Sequence, residues 1–246
     1  MNPRVAVLVP CYKRPEYTAK CVRSLVCNSR HRPLILWLVD DGSGDGTLKQ
    51  LRSAQWVLAC MATPGVQVEV VAHEKNLGLR ATIFEFWWEM RGKADFLAKI
   101  DNDSIVPPGW IAKMLAVFDD CPELEVLSPD NEPSHAALSH GVDDGGRYRR
   151  ASNMGGLWFM RASTREKYFN LKRLRKSRKS YGGGIRGAWN LMLNLKRAGA
   201  VMGWTTDVVI GDMGHWRGQH PQHIKSEAHA AYSREVGRSR IAWEAR

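Results

Sequence analysis

The chain has 246 residues, and 36 basic against 25 acidic side chains give it a net charge of +11. With 44% hydrophobic and 25% charged residues, the composition is that of an ordinary globular protein and excludes collagen, coiled coil and intrinsic disorder. Apolar runs such as Val5–Val9 and Leu34–Val39 are far shorter than the roughly 20 residues that a membrane span needs, and no signal peptide is visible at the N-terminus.

The charge is unevenly distributed along the chain. Residues 1–144 carry 15 basic and 19 acidic side chains, whereas residues 145–246 carry 21 basic and 6 acidic ones, a balance of +15. This asymmetry indicates two roles within one chain. The five cysteines all lie in the front part and form no Cys-x-x-Cys pair, which argues against a disulfide framework or a structural zinc site. We therefore expect a reducing, cytoplasmic location.

Short apolar runs alternate with amphipathic stretches along the front part of the chain. The runs predict strands at Val5–Val9, Leu34–Val39, Val66–Ala72 and Phe96–Ile100. The stretches between them predict helices from Pro15, from Leu48 to about Met61, and after the turn Asn76-Leu77-Gly78. Strands that alternate with helices predict a single α/β domain with a mostly parallel sheet.

The pattern loosens after residue 128. Residues 129–153 are predicted to form a long loop, and Gly155–Met160 a further strand. A last helix is predicted to end at Gly199, since glycine is the usual residue after a helix C-terminus.

Ligands of such sheets bind beyond the carboxyl ends of the strands, where Asp101-Asn102-Asp103 follows an apolar strand. Two carboxylates this close repel each other unless a cation lies between them. Their oxygen atoms suit Mg²⁺ or Mn²⁺ shared with substrate phosphates. The alternative is a polar turn before Pro107-Pro108 that binds nothing.

A second acidic segment, Asp40–Gly46, follows the second predicted strand. Its glycines do not form the dinucleotide fingerprint, which belongs after the first strand and opens a helix as Gly-x-Gly-x-x-Gly. A carboxylate at this strand end can instead accept hydrogen bonds from a nucleobase or ribose. The alternative is a glycine-rich turn with Asp45 near a helix start.

Four segments together resemble glycosyltransferase family 2. They are Val5-Ala-Val-Leu-Val-Pro-Cys-Tyr-Lys-Arg14, Leu38-Val-Asp-Asp-Gly-Ser-Gly-Asp-Gly-Thr47, Asn76-Leu-Gly78 and Ile100-Asp-Asn-Asp-Ser104. Their order and spacing match that family, whose GT-A fold is a Rossmann-like, mostly parallel sheet flanked by helices. The resemblance covers residues 4–128 firmly and the remainder loosely. Residues 1–128 would then bind the nucleotide sugar and residues 129–246 the acceptor.

The resemblance implies a nucleoside-diphosphate-sugar donor, most simply of the uridine type, and a Mn²⁺ or Mg²⁺ cofactor. Tyr12 is expected close to the base and Asp41 at the base edge. The residues that the resemblance places around the donor are Pro10, Cys11, Tyr12, Arg14, Asp40, Asp41, Asn76, Arg80, Asp101, Gly155 and Gly156. The metal ligands that it implies, as an Asp-x-Asp motif with a later histidine, are Asp101, Asp103 and His215.

The chain departs from the family at the expected catalytic base. Inverting members carry an acidic residue near the start of the helix after the acceptor loop, but residues 181–189 contain no carboxylate. Asp212 is the leading candidate base, with Asp207 and Asp130 as alternatives. The reaction could instead retain configuration, with the donor phosphate taking the proton, or the chain could be inactive.

The basic run between Lys172 and Arg186 predicts an anionic acceptor, because Lys and Arg contact phosphates and gain from counterion release. A hydroxylated base in DNA is one such acceptor, and a surface glycan or a lipid-linked acceptor is the alternative. A solvated loop without a ligand, or an inactive scaffold that binds nucleic acid or glycan, explains the same charges. The acceptor-binding candidates are Arg175, Lys176, Arg178, Lys179 and Arg186.

Overall fold

The computed structural model describes residues 2–53, 64–130, 147–151, 154, 157–168 and 185–212. Within these ranges the side chains at 130, 185–190, 206 and 212 are not described. The strands found there are β1 (Val5–Cys11), β2 (Leu34–Asp40), β3 (Val66–Ala72), β4 (Phe96–Lys99), β5 (Ser104–Ile105), β6 (Val126–Asp130), β7 (Arg149–Arg150), β8 (Trp158–Arg161), β9 (Met202–Val209) and β10 (Gly211–Asp212). The helices are α1 (Pro15–Asn28), α2 (Thr47–Leu51), α3 (Leu79–Glu89), α4 (Trp110–Asp120), α5 (Ala162–Tyr168) and α6 (Ile185–Arg197).

Eight strands form one sheet in the order β3-β2-β1-β4-β8-β6-β9-β7. β1 is parallel to both of its neighbours, β2 and β4, and β2 is parallel to β3. β8 lies between β4 and β6, so strands from both sides of residue 128 share the sheet. The predicted single α/β domain with a mostly parallel sheet flanked by helices is confirmed.

Helices cover both faces of this sheet, which explains why β1 is a continuous apolar run. Successive residues of a strand point to opposite faces. Val5, Val7 and Val9 pack in one buried cluster with α1 and α4, whereas Ala6 and Leu8 pack in a second cluster with α3 and α6. A strand buried on both sides has no polar alternation, as the sequence predicted.

β8 runs antiparallel to both β4 and β6. The sequence predicted a strand here, but hydrophobic spacing carries no information about strand direction. The reversal pairs Trp158 with Lys99, so β8 begins beside the end of β4. The segment that precedes Trp158 therefore enters the sheet at its carboxyl edge.

Two other predicted elements differ in extent or lie partly outside the described residues. α2 ends at Leu51, and the predicted continuation to Met61 falls mostly on residues outside the described ranges. The predicted loop at 129–153 is interrupted, because Pro129 and Asp130 belong to β6 and Arg149–Arg150 forms β7. β7 is held by pairing with β9 rather than by a local apolar pattern, so no sequence signal marks it.

Two further observations bear on the predictions. Gly199 follows α6 with φ +92°, the left-handed conformation expected of a glycine that ends a helix. In the described part of the chain, no helix has the length and apolar character to cross a membrane.

Candidate functional site

The ends of β1, β2 and β4 lie side by side at one edge of the sheet. Cys11 is in register with Asp40, and the Asp41 N–H donates to the Cys11 carbonyl at 2.8 Å. The Ile100 N–H donates to the Leu8 carbonyl at 2.9 Å. The segments that follow these three strands are thereby brought together, as the strand-end rule predicts.

Hydrogen bonds join the three segments. The Lys13 N–H donates to Ser43 Oγ at 2.8 Å, and Asn102 Nδ2 donates to the Lys13 carbonyl at 3.2 Å. Lys13 and Arg14 both have φ +61°, which is strained for residues with a Cβ. Two consecutive strained residues persist only where their surroundings hold them, and such strain concentrates at functional sites.

The Asp101–Asp103 turn is anchored on α1. Asn102 is buried, and its Nδ2 also donates to Thr18 Oγ1 at 2.9 Å. The buried Cys21 Sγ donates to the Asp101 carbonyl at 3.3 Å, and burial raises the pKa of that thiol well above its usual value. These contacts hold the backbone between the two carboxylates while leaving the carboxylates themselves to other partners.

Each carboxylate of the turn has a basic partner. Arg14 Nη1 lies 2.7 Å from Asp103 Oδ2, and both side chains are 16% exposed. Lys99 Nζ contacts Asp101 Oδ1; the Lys99 side chain is fully buried, whereas that of Asp101 is 38% exposed. The repulsion expected between the two carboxylates is therefore reduced by protein cations.

The Asp41 carboxylate accepts hydrogen bonds from groups inside the protein. Its Oδ1 accepts from the Leu77 N–H at 2.8 Å and its Oδ2 accepts from the Gly78 N–H at 2.9 Å. Gly42 packs so closely on this turn that an added Cβ would lie 2.4 Å from the carbonyl carbon of Lys75. The predicted role of Asp41 at the base edge stays a prediction; the contact seen is with the turn.

His73 lies between two carboxylates at the end of β3. Its Nδ1 is 2.8 Å from Asp41 Oδ1 and its Nε2 is 2.7 Å from Glu85 Oε2 on α3. Burial lowers the pKa of His73, but the hydrogen bonds and charges of Asp41 and Glu85 outweigh that effect and raise it above its ordinary value. His73 was not singled out from the sequence, although applying the strand-end rule to β3 would have found it.

Two apolar side chains are exposed near these turns: Tyr12 is 44% and Leu77 48% exposed. Lys13 Nζ lies 5.3 Å from the centroid of the Tyr12 ring, a cation–π distance. Asn76, next to Leu77, is exposed, and Arg80 is half-buried with its Cζ 5.3 Å from the Phe84 ring centroid. An aromatic face accessible at this edge suits a planar ligand group.

Other residues predicted at the donor site lie deeper. The Cys11 side chain is fully buried in the core and donates to the Val9 carbonyl at 3.4 Å, and burial strongly raises the pKa of its thiol. Pro10 is half-buried. Asp40 is buried, and its Oδ1 accepts from the Ser43 N–H at 3.3 Å. Cys11 and Asp40 therefore shape the turns around the site with their buried side chains.

The candidate bases are distributed differently. β10 pairs antiparallel with β5, so that Asp212 is opposite Ser104, the residue after Asp103. Asp207 is held by Arg147, with Arg147 Nη1 3.2 Å from Asp207 Oδ2. Asp130 ends β6 and is in register with Val209. Of the three, Asp212 has the backbone position next to the Asp101–Asp103 turn.

Several predicted site residues lie outside the described residues. They are Gly155, Gly156, Arg175, Lys176, Arg178, Lys179 and His215, and the side chain of Arg186 at the start of α6 is not described either. The described residue Leu157 follows the two glycines, and its carbonyl accepts from Ser128 Oγ at 2.7 Å. The acceptor side of the predicted site is therefore still a sequence-based expectation.

The described residues contain no cluster of three or more His, Cys, Asp or Glu side chains that could hold a metal ion. Asp101 and Asp103 nevertheless offer carboxylate oxygens on one turn, and hard divalent cations such as Mg²⁺ bind in proteins through one or two carboxylates completed by substrate phosphates. The donor set therefore fits such a cation. Lys99 was missed in the sequence, although its spacing of two residues from Asp101 places both on one side of the chain.

Comparison with known proteins identifies the family of this chain. The family model described as glycosyl transferase family 2 matches residues 6–187. No curated protein sequence gives a significant match.

Solved structures share the fold at low sequence identity. TarS 1-349 of S. aureus is 15% identical with a TM-score of 0.59, over 85% of this chain and 60% of that one. The mannosyltransferase PcManGT of Pyrobaculum calidifontis, with GDP-Man and Mn²⁺, is 18% identical with a TM-score of 0.60, over 91% of this chain and 61% of that one. GalNAc-T7 with UDP, GalNAc and Mn²⁺ is 13% identical with a TM-score of 0.60, over 89% and 46%. The chain thus spans at most about three fifths of the length of these structures.

Proposed function

The chain belongs to glycosyl transferase family 2, and from that premise we propose that it transfers a sugar from a nucleoside-diphosphate sugar to a hydroxyl acceptor with the help of Mn²⁺ or Mg²⁺. The observation that carries the proposal is the Asp101–Asp103 turn, which is hydrogen-bonded to the segment after β1, itself hydrogen-bonded to the segment after β2. A turn with two carboxylates at this edge is where a sheet of this kind binds ligands.

Asp101 and Asp103 would hold the divalent cation. When bound, such a cation offsets the negative charge that develops on the leaving nucleoside diphosphate. Lys99 and Arg14 offset the charge of the two carboxylates through the ion pairs described above. Because Arg14 is 16% exposed and lies on the turn after β1, it is also placed to contact a diphosphate that approaches Asp103.

The nucleotide base is proposed to lie against the exposed ring of Tyr12 and the exposed side chain of Leu77. Asn76 and Arg80 flank the same turn. A uridine-type donor is our first choice, since two of the three structural neighbours named above were crystallised with a UDP ligand or exist in such a complex. GDP-sugars are the alternative, as in PcManGT.

The proton of the attacking hydroxyl is proposed to go to Asp212. What supports this choice is the pairing of Asp212 with Ser104, beside the metal-binding turn. Asp207 is engaged by Arg147, which makes it a weaker candidate. A retaining reaction, in which the donor phosphate takes the proton, is the alternative.

A polyanionic acceptor, such as a hydroxylated base in DNA, is proposed from the basic run between Lys172 and Arg186 alone. Neither the described residues nor the comparisons provide further support for DNA. A surface glycan or lipid-linked acceptor fits the same charge. A cytoplasmic location likewise stays a proposal that rests on the cysteine pattern.

The donor reaction is tested by release of nucleoside diphosphate from UDP- and GDP-sugars in the presence of Mn²⁺. We expect release by the wild type and a loss of at least about 100-fold in Asp103→Asn. Asp119→Asn is the control, because Asp119 is exposed on α4 and its substitution removes the same charge at a position away from the site. Equal release by the two variants, or no release from any donor, would contradict the proposal and favour an inactive scaffold.

The acceptor is tested separately by binding to duplex DNA at increasing salt. If Lys and Arg side chains neutralise phosphates, the logarithm of the association constant falls linearly with the logarithm of the salt concentration. Binding that does not change with salt, or no binding, would leave glycan and lipid-linked acceptors as the candidates to assay next.

A further inference from the structure

His73 connects two elements that flank the proposed donor site. Its side chain is 8% exposed and lies between Asp41, 6% exposed, and Glu85, 38% exposed. Asp41 follows β2, whereas Glu85 belongs to α3. The imidazole therefore bridges the segment after β2 and the helix that starts directly after the Asn76–Gly78 turn.

The geometry of the bridge requires a doubly protonated ring. Both acceptors are carboxylates, which accept hydrogen bonds but do not donate them when ionised. A neutral imidazole carries one N–H, so it can donate to only one of the two and turns a lone pair towards the other. With ring nitrogens 2.8 and 2.7 Å from Asp41 and Glu85, the arrangement is complete only in the imidazolium form, in agreement with the raised pKa of His73.

Through Asp41 this charge acts on the turn that presents Leu77. The Asp41 oxygens also accept from the backbone N–H groups of Leu77 and Gly78. Gly42 packs directly on the same turn, with room for no side chain. The turn is thus docked on the end of β2 by one carboxylate, and His73 is the charged partner that holds this carboxylate in place.

We propose that His73, as an imidazolium, is a positioning residue of the donor site: it holds Asp41, and through Asp41 the Leu77–Gly78 turn, in the position that binds the nucleotide sugar. The inference rests on the proposed function, because it concerns the same site. It also gives Asp41 a role in building the wall of the site.

Loss of the proton from His73 removes one of the two hydrogen bonds and leaves Asp41 and Glu85 without a shared cation. The charged groups that face the ring are Asp41 from the segment after β2 and Glu85 from α3. On its own segment the neighbours Glu74 and Lys75 are exposed. Deprotonation should therefore loosen the turn, and affinity for the donor should fall as the pH rises.

Calorimetric binding of UDP-N-acetylglucosamine and of GDP-mannose with Mg²⁺ between about pH 6 and about pH 8.5 tests this inference, since that range includes the ordinary pKa of histidine and extends above it. The pyrophosphate of a sugar nucleotide is already ionised throughout the range. We expect wild-type affinity to fall about fivefold or more with rising pH. His73→Gln should bind weakly at every pH.

The control is His31→Gln. His31 is a half-buried histidine whose Nε2 lies 2.6 Å from the Pro3 carbonyl, in the segment that precedes β1. This variant should keep the wild-type pH profile. Measurable binding that is independent of pH in the wild type, or a His73→Gln profile identical to that of the wild type, would overturn the inference and leave the proposed function intact.

Unfolding in urea separates the two proposals further. Because the folded state raises the pKa of His73, its stabilising contribution is complete below the unfolded value of about 6.5 and is lost as the pH rises through the folded value. The stability difference between wild type and His73→Gln should shrink accordingly. If that difference is found but neither sugar nucleotide binds at any pH, the positioning role fails and the bridge only stabilises the fold; the release assay then decides the proposed function by itself.

Discussion

The ion pair between the buried Lys99 and the partly exposed Asp101 leads to a quantitative prediction about stability. Lys99 is fully buried, whereas Asp101 is 38% exposed, so the two partners differ in their access to water. Asp101→Ala leaves a buried ammonium group without its counter-ion and should lower the free energy of unfolding by about 3–5 kcal/mol. Lys99→Met replaces the ammonium by an apolar group of similar length and leaves a carboxylate that water can reach, at a cost of about 1 kcal/mol or less.

The double variant distinguishes this explanation from a simple loss of contacts. In the Lys99→Met background, Asp101→Ala should cost about 1 kcal/mol or less, which gives a coupling energy of about 2–4 kcal/mol between the two positions. Urea unfolding followed by tryptophan fluorescence, with a chelator present to exclude divalent cations, measures all four proteins. For a chain of this length, the single variant Asp101→Ala should also melt at least roughly 6 °C below the wild type.

Equal destabilisation by Asp101→Ala in the two backgrounds would contradict this explanation. Such a result would mean that Lys99 does not depend on Asp101 for its charge balance. The prediction also affects how activity data are interpreted, because a loss of activity in Asp101→Ala would combine unfolding with loss of a metal ligand. Asp103, paired with the partly accessible Arg14, is the safer position for testing the metal.

Two other predictions use matched variants. Gly42→Ala should lower the free energy of unfolding by about 2 kcal/mol or more, as measured by thermal unfolding, because φ is +67° and the new Cβ would lie 2.4 Å from a backbone carbon. Gly44 has the same φ but open space around it, so Gly44→Ala should lower that free energy by only about 1 kcal/mol. Equal losses in the two variants would contradict the packing argument. Arg14→Ala should tighten Mn²⁺ binding about fivefold, the equivalent of about 1 kcal/mol for a partly exposed pair, as measured from the free Mn²⁺ signal by paramagnetic resonance. Arg23→Ala, which removes an exposed charge from α1, should change Mn²⁺ affinity less. Weaker Mn²⁺ binding by Arg14→Ala would show that Arg14 orients Asp103 instead of competing with the metal for it.

Much of the fold follows from local patterns in the sequence. The runs at 5–9, 34–39, 66–72 and 96–100 are strands in the structure, with ends that differ by at most two residues. The run at 5–9, made of β-branched and aliphatic residues without polar alternation, indicates burial on both faces, as in a sheet between two helical layers. The direction of β8 was beyond this reasoning, because side chains alternate identically in parallel and antiparallel strands.

For the site, the sequence by itself determined which segments meet. Parallel strands place their carboxyl ends at one edge, so Arg14, Asp41 and Asp101 had to come together whatever the details of packing. Only the tertiary structure decided what each side chain contacts there. Arg14 meets Asp103 across 89 residues of chain, and Asp41 meets His73 across 32. Such pairings depend on the lengths and rotamers of side chains from separate elements, so no local spacing in the sequence predicts them. They give the carboxylates of Asp101 and Asp103 their own cations, and they place His73 beside the carboxylate that holds the Leu77–Gly78 turn.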